Sequence, residues 1–219
     1  MKVLELFAGS RSFSKVAEER GHEVYTTDYE PFDKINQVCD IRDFDEGKMW
    51  EEFGKPDVIW ASPPCTYFSV SSIGHHWNKN HTPKTKEAIE GVKIVDHTLW
   101  IIKLLQPKYY YIENPRGKLR KLDVINKSRW LNIPLRRTVW YCKYHSENEG
   151  IKRAKPTDIW TNDWNWIPRE QCKNGNPLCN HQSAPRGSRT GTQGMENAYE
   201  KSKVPYELCK EIIKGIKNE

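Results

Sequence analysis

No run in these 219 residues approaches the twenty or so consecutive apolar residues that a bilayer span requires. A secretory leader is not expected either. Met1-Lys2 leads straight into Val3-Leu4-Glu5-Leu6-Phe7, too short and too acidic for one, so this segment reads as a first strand and the protein as cytoplasmic with no membrane partner. There is no internal repeat and no low-complexity tract. The first strand–turn–helix lacks the G-x-G-x-x-G spacing and the P-loop lysine, which argues against a polyphosphate cradle. Residues 163–203 are short of aliphatic side chains and rich in Trp, Cys, Asn, Gly and Pro, so they cannot bury much core and need a staple.

What is present suits one soluble domain with a real core and a small appendage: 37% hydrophobic and 29% charged residues. The formal charge of +6 is uneven. Residues 116–155 hold twelve Lys/Arg against three Asp/Glu, whereas residues 40–57 hold seven acids against three bases. A basic half suits a polyanion such as nucleic acid, although a solvated surface has the same composition. Six cysteines without a secretory signal point to reduced thiols, a metal site or a catalytic thiol rather than disulfides.

The first half alternates between strand-like and helix-like segments. Strands are expected at 3–7, 22–28, 57–61 and 109–114, with a short strand or turn at 37–41. Helices are expected at 12–20, where Phe13, Val16 and Ala17 share a face, and at 85–106, ended by Pro107. This alternation predicts an α/β fold with a mostly parallel sheet and helices on both faces. Residues 136–144 and 157–160 predict an antiparallel edge hairpin, and residues 204–216 a closing amphipathic helix. The expected division is a catalytic domain at 1–162, a small Cys/His-rich region at 163–203, and a helix at 204–219 returning to the catalytic domain.

Three segments carry chemistry. In the first, Phe7-Ala8-Gly9-Ser10 follows a strand and opens a helix. Its small residues allow close approach of a ligand, and the helix start offers free amide donors. Asp28 ends the next strand, where an acid can hold ribose hydroxyls; together they point to a nucleoside cofactor, with a plain tight turn as the alternative. In the second, Ser62-Pro63-Pro64-Cys65 ends the 57–61 strand. Two prolines remove amide donors and fix the backbone ahead of a thiol placed where open α/β sheets bind ligands. A buried structural cysteine is the ordinary alternative. In the third, Tyr111-Ile112-Glu113-Asn114-Pro115 ends the neighbouring strand, and its apolar flanks predict a desolvated carboxyl with a raised pKa unless Glu113 is a capping or surface residue.

Taken together, these segments resemble the cytosine-5 DNA methyltransferase family. Phe7-Ala8-Gly9 matches its cofactor turn, Pro63-Pro64-Cys65 with Phe68-Ser69 its nucleophile motif, and Glu113-Asn114 its glutamate–asparagine motif, with Pro115 where a valine is usual. The motifs fall in family order over about residues 1–120. The resemblance implies a Rossmann-like methyltransferase fold, S-adenosylmethionine as cofactor and cytosine-containing duplex DNA as partner. It further implies Asp40 and Ile41 at the adenine, Cys65 as nucleophile and Glu113 as its acid partner. Residues 152–155, before Thr157-Asp158-Ile159-Trp160, lie where the family has Gln-x-Arg-x-Arg. The glutamine is absent and Lys155 replaces an arginine, so Arg153 is the candidate to support the flipped base, with Arg186 and Arg189 as rivals. An RNA cytosine methyltransferase with the same catalytic parts, and a catalytically silent DNA-binding protein of the same fold, are the competing readings. An amino-group methyltransferase would put an aromatic residue where Cys65 stands.

The second site is a cluster of soft-metal ligands. Cys172, Cys179 and His181 lie close in sequence, and Cys142 or His145 can supply a fourth ligand from the hairpin. The preferred set is Cys142, Cys172, Cys179 and His181, a closed structural zinc site acting as the missing staple. Trp164, Trp166 and Arg169 are candidates either to touch DNA or to pack this region.

Overall fold

The computed structural model describes residues 1–132, 135–145, 153–183 and 198–216. Its centre is a seven-stranded sheet of order β3-β2-β1-β4-β5-β7-β6. The strands are β1 (Lys2–Leu6), β2 (Glu23–Asp28), β3 (Gln37–Val38), β4 (Val58–Ala61), β5 (Tyr109–Pro115), β6 (Leu135–Trp140) and β7 (Pro156–Thr161). β1 through β5 pair in parallel. β7 pairs antiparallel with both β5 and β6, so it alone runs against the sheet. This is the α/β architecture expected from the alternating segments, including the antiparallel hairpin.

Strand register places the functional ends in one row. Leu6 sits opposite Thr27 and Ala61, and Ala61 opposite Ile112. The residues one step further on, Phe7, Asp28, Ser62 and Glu113, therefore share the carboxyl edge of the sheet. The strand order reverses between β1 and β4, which makes that edge the topological switch point where open α/β sheets bind ligands.

Side chains alternate across the sheet as the pleat requires. Leu4, Leu6, Ile59, Ala61, Ile112 and Trp160 face one core. There they meet α4 (Lys86–Leu105), which buries Val95, Leu99, Ile101, Ile102 and Leu105. Thr85 caps its start by accepting from the Ala88 amide at 3.2 Å, and Gln106 ends it in the left-handed region ahead of Pro107. Val3, Val58, Trp60, Tyr111 and Ile159 face the other core, covered by α1 (Ser12–Glu19) and α7 (Tyr206–Gly215). The shorter helices are α3 (Ile73–His76), α5 (Asp123–Asn126) and α6 (Ala198–Ser202). No helix among the described residues is long and apolar enough to cross a membrane.

Three local expectations differ. The strand expected at 136–144 stops at Trp140, because Tyr141–Lys143 turns inward as a 3-10 turn that buries Tyr141 and Cys142. The segment 37–41 gives only a two-residue strand, and Asp40 then caps a second 3-10 turn at Ile41–Asp43. The acidic stretch 40–57 contains an unanticipated helix, α2 (Glu46–Glu52), capped by Asp45 on the Lys48 amide at 2.8 Å.

Candidate active site

Cys65 is placed by two strands. After β4, Ser62 accepts from the Trp60 indole at 2.8 Å, and Pro63 is buried. Asn114, fully buried at the end of β5, donates to the Pro63 carbonyl at 2.9 Å and ties the Cys65 loop to the strand end that carries Glu113. Beyond the thiol, the Phe68 and Ser69 amides return to the Cys65 carbonyl at 3.0 and 2.9 Å, and the Lys118 amide donates to the Phe68 carbonyl at 2.7 Å. Gly117 lies so close that an added Cβ would stand 2.2 Å from the Phe68 carbonyl oxygen, so only glycine fits the seam between the two loops. Cys65 is half-buried. Burial pushes its pKa up, the Lys155 ammonium draws it down, and the Glu113 charge opposes Lys155.

Glu113 is buried and held on one side. The Tyr141 hydroxyl donates to Oε1 at 2.7 Å, and Lys155 Nζ stands 3.6 Å from the same oxygen. Lys155 also donates to the Lys201 carbonyl at 3.0 Å and lies over the Tyr141 ring at 4.7 Å. Arg153 is differently engaged: its guanidinium donates to the Glu200 carbonyl at 2.6 Å and to the Lys203 carbonyl. Among the residues expected from the later motif, Lys155 rather than Arg153 is therefore the cation beside Cys65 and Glu113. The rivals Arg186 and Arg189 lie outside the described residues. Tyr141 was not anticipated, since nothing in its sequence neighbourhood announces that the chain turns inward there.

The turn after β1 is backbone-strained in the way ligand cradles are. Phe7 (φ 62°) and Arg11 (φ 51°) both adopt the left-handed region. Buried Glu5 accepts the Ser14 amide at 2.8 Å and, more weakly, that of Phe13, capping α1 from the strand before it. A Cβ at Gly9 would meet the Phe32 ring at 2.9 Å and the Asp28 carboxylate at 3.4 Å, so the glycine leaves a cradle that any side chain would fill. Burial pushes the Asp28 pKa up, opposed by backbone amides that include Gly9's. Ser10 bonds the Ser12 hydroxyl at 2.8 Å. Asp40 is fully engaged by Arg42, which pushes its pKa down to about 2, and Ile41 is buried beside it. Lys15 Nζ donates to the Ser10 carbonyl at 3.0 Å, so the one lysine at the turn is tied to backbone; the side-chain-free Gly9 and the buried acids Glu5 and Asp28 fit a nucleoside-type cofactor such as S-adenosylmethionine.

Cys142, Cys172, Cys179 and His181 come together, with their ligand atoms all within 4.8 Å of one another. Cys172 Sγ and His181 Nδ1 are 3.8 Å apart. A tetrahedral ion at about 2.3 Å from sulfur and 2.0 Å from nitrogen needs donors roughly 3.5–4 Å apart, so the set fits a metal. His145 instead lies toward the Arg153 amide, at 3.5 Å. Trp166 is buried against Tyr111, and Arg169 bonds Glu211 and lies over the Tyr144 ring, so both pack; Trp164 is exposed. His76 and His81 are bonded to Thr85 and Lys118.

A solved structure assigned as a DNA modification methyltransferase, encoded within an E. coli prophage, superposes with a TM-score of 0.52 at 13% identity, over 80% of this chain and 52% of that one. The fold is that of the S-adenosylmethionine-dependent methyltransferases. A family model for the C-5 cytosine-specific DNA methylases matches residues 1–128, more than half of the 219. A Frog virus 3 (isolate Goorha) protein named "Probable DNA (cytosine-5)-methyltransferase" is 30% identical over 184 residues, 80% of this chain and 78% of that protein. Type II methyltransferase M.FnuDI of Fusobacterium nucleatum is 28% identical over 127 residues, 55% of this chain and 34% of that protein. The chain thus spans about half the length of the prophage enzyme and a third of the Fusobacterium one. It belongs to the C-5 cytosine-specific DNA methylase family.

Proposed function

We infer that this protein methylates carbon 5 of cytosine in duplex DNA through a covalent adduct on Cys65. The observation that carries this reading is the Asn114–Pro63 bond, which joins the thiol loop to the strand end bearing Glu113. Carbon 5 is a poor nucleophile. Attack of the Cys65 thiolate on carbon 6 makes the ring enamine-like and splits one hard step into two easier ones. Glu113 meets ring nitrogen 3 and the exocyclic amine, offsetting charge as the adduct forms. Lys155 favours the thiolate. Phe7, Ala8, Gly9, Ser10, Asp28, Asp40, Ile41 and Pro63 would hold S-adenosylmethionine, whose sulfonium would give its methyl group to carbon 5 and depart as S-adenosylhomocysteine. Transfer of the carbon 5 proton to water then re-forms the carbon 5–carbon 6 double bond as the carbon 6–sulfur bond breaks, releasing Cys65 as its thiolate and the methylated base. The target base must leave the stack at a cost of a few kcal/mol, offset in part by phosphate contacts from the basic segment 116–155.

The role of Arg153 is to anchor the 200–203 segment over the site rather than to touch the base. Zinc is the metal at Cys142, Cys172, Cys179 and His181, where a closed four-ligand set is structural. The test is incubation of a mixed-sequence duplex and a structured RNA with labelled S-adenosylmethionine, followed by base-resolution mapping. The expected product is 5-methylcytosine in the duplex. Label confined to RNA, label on an exocyclic amine, or no transfer would refute the reading.

A further inference from the structure

A flipped cytosine presents an acceptor, ring nitrogen 3, beside a donor, its exocyclic amine; one carboxyl oxygen that carries a proton can donate to the first and accept from the second, provided it is free and held in place. Oε1 is doubly engaged, by the Tyr141 hydroxyl at 2.7 Å and by Lys155 Nζ at 3.6 Å. None of the described residues donates to Oε2. The Tyr141 ring is fully buried, with Lys155 packed over it at 4.7 Å and Arg153 at 5.5 Å. Its amide reaches the Lys155 carbonyl at 3.4 Å, closing a small loop between the two residues that grip the same oxygen. The next residue, Cys142, belongs to the Cys/His cluster, and Arg153 bridges to Gln182 beside His181. The cluster therefore brackets both chain segments that reach Glu113.

Resting on the cytosine-5 reading above, we propose that Tyr141 is a positioning residue that pins Glu113 Oε1, with Lys155 as its partner, so that Oε2 alone faces the target base. The hydroxyl touches neither base nor cofactor; it acts through Glu113. The Cys/His cluster holds the turn that delivers it.

The test compares Tyr141→Phe, which removes one oxygen atom, and Lys155→Met with the wild type in single-turnover methyl transfer. Displacement of a positioned group by about 1 Å can cost on the order of 10²-fold in rate, so kcat is expected to fall roughly ten- to a hundredfold in each variant. KM for duplex and for S-adenosylmethionine and the bound metal should stay at wild-type values, which a merely structural role would not predict, while the melting midpoint falls only by what loss of one buried bond to a charged group costs. In a Glu113→Gln background Tyr141→Phe should add nothing, and Lys155→Met should lose less than in the wild type, keeping only the part it carries through Cys65. An unchanged kcat, or an equal loss in both backgrounds, overturns the proposal. If Tyr141→Phe loses its melting transition, Lys155→Met with its Glu113→Gln double variant decides by the same criteria. Wild-type adduct formation with 5-fluorocytosine duplex is measured alongside. Its absence would sink the cytosine-5 reading, whereas its presence with unaffected variants sinks only the role of Tyr141.

Discussion

Cys65 sits between two opposing influences, burial that keeps it a thiol and Lys155 that favours the thiolate. The sign of a perturbation follows. The reactive form is the thiolate, so the adduct-forming rate rises with pH along a limb set by the Cys65 pKa. Lys155→Met removes the lowering influence, moves that limb to higher pH and leaves the enzyme slower at neutral pH; stopped-flow adduct rates across pH would show it. A limb that stays put or moves to lower pH would mean that Lys155 does not face the thiol. Cys65, Glu113 and the Phe7-Ala8-Gly9 turn were legible in the sequence because each lies in a short motif at a strand end, where local residues determine the geometry. Tyr141 was not, and Lys155 was legible only as a substitution for an arginine. Their positions depend on β7 running against β5 and on an inward 3-10 turn, pairings between distant segments that no local pattern encodes.

At the scale of elements, the parallel strands β1, β2, β4 and β5 and helix α4 were readable from apolar runs and from Pro107, with boundaries shifted by one residue, whereas β3 shrank to two residues. The short α2 was hidden because it buries little besides Met49 and its charges read as a solvated run. The loop seam is the critical element for function. Gly117 permits the Lys118 amide to reach Phe68, and thereby holds the far side of the Cys65 loop. Gly117→Ala would drive a methyl group to 2.2 Å from a backbone oxygen, which no side-chain rotation relieves. The expected result is destabilisation of about 1–3 kcal/mol, as for an overpacked buried site, with a larger proportional loss of methylation than of stability. Denaturant titration beside initial rates would measure both. For contrast, Thr85→Ala at the α4 cap should cost about 1 kcal/mol and leave the rate of folded enzyme unchanged.

Across the whole molecule, the sheet provides a row of strand ends, and the described residues 162–183 after β7 are tied to it by polar and aromatic contacts such as Asp163 with Tyr111 and Trp166 with Tyr111, with the Cys/His cluster beside them. α7 closes the structure by packing Leu208, Cys209, Ile212 and Ile213 against α1, and the Val204 amide donates to Ser12 at 3.1 Å beside the turn after β1. Removal of the metal should therefore lower the melting midpoint and also slow methylation, because the same turn carries Cys142 and Tyr141. Chelation followed by calorimetry and rate measurement checks this, and a chelated protein of wild-type midpoint would refute a metal staple. The Cys/His cluster was legible as closely spaced ligands in an aliphatic-poor stretch of sequence, whereas its connection to Glu113 emerged only from the fold.

The central claim is that Cys65 bonds to cytosine. The most direct measurement is denaturing electrophoresis after incubating the protein with S-adenosylmethionine and a 5-fluorocytosine duplex, in which the fluorine at carbon 5 blocks the final elimination. A slow-migrating protein–DNA adduct is expected for the wild type and none for Cys65→Ser. An adduct of equal yield in Cys65→Ser, or undiminished cytosine methylation by that variant, would contradict the account.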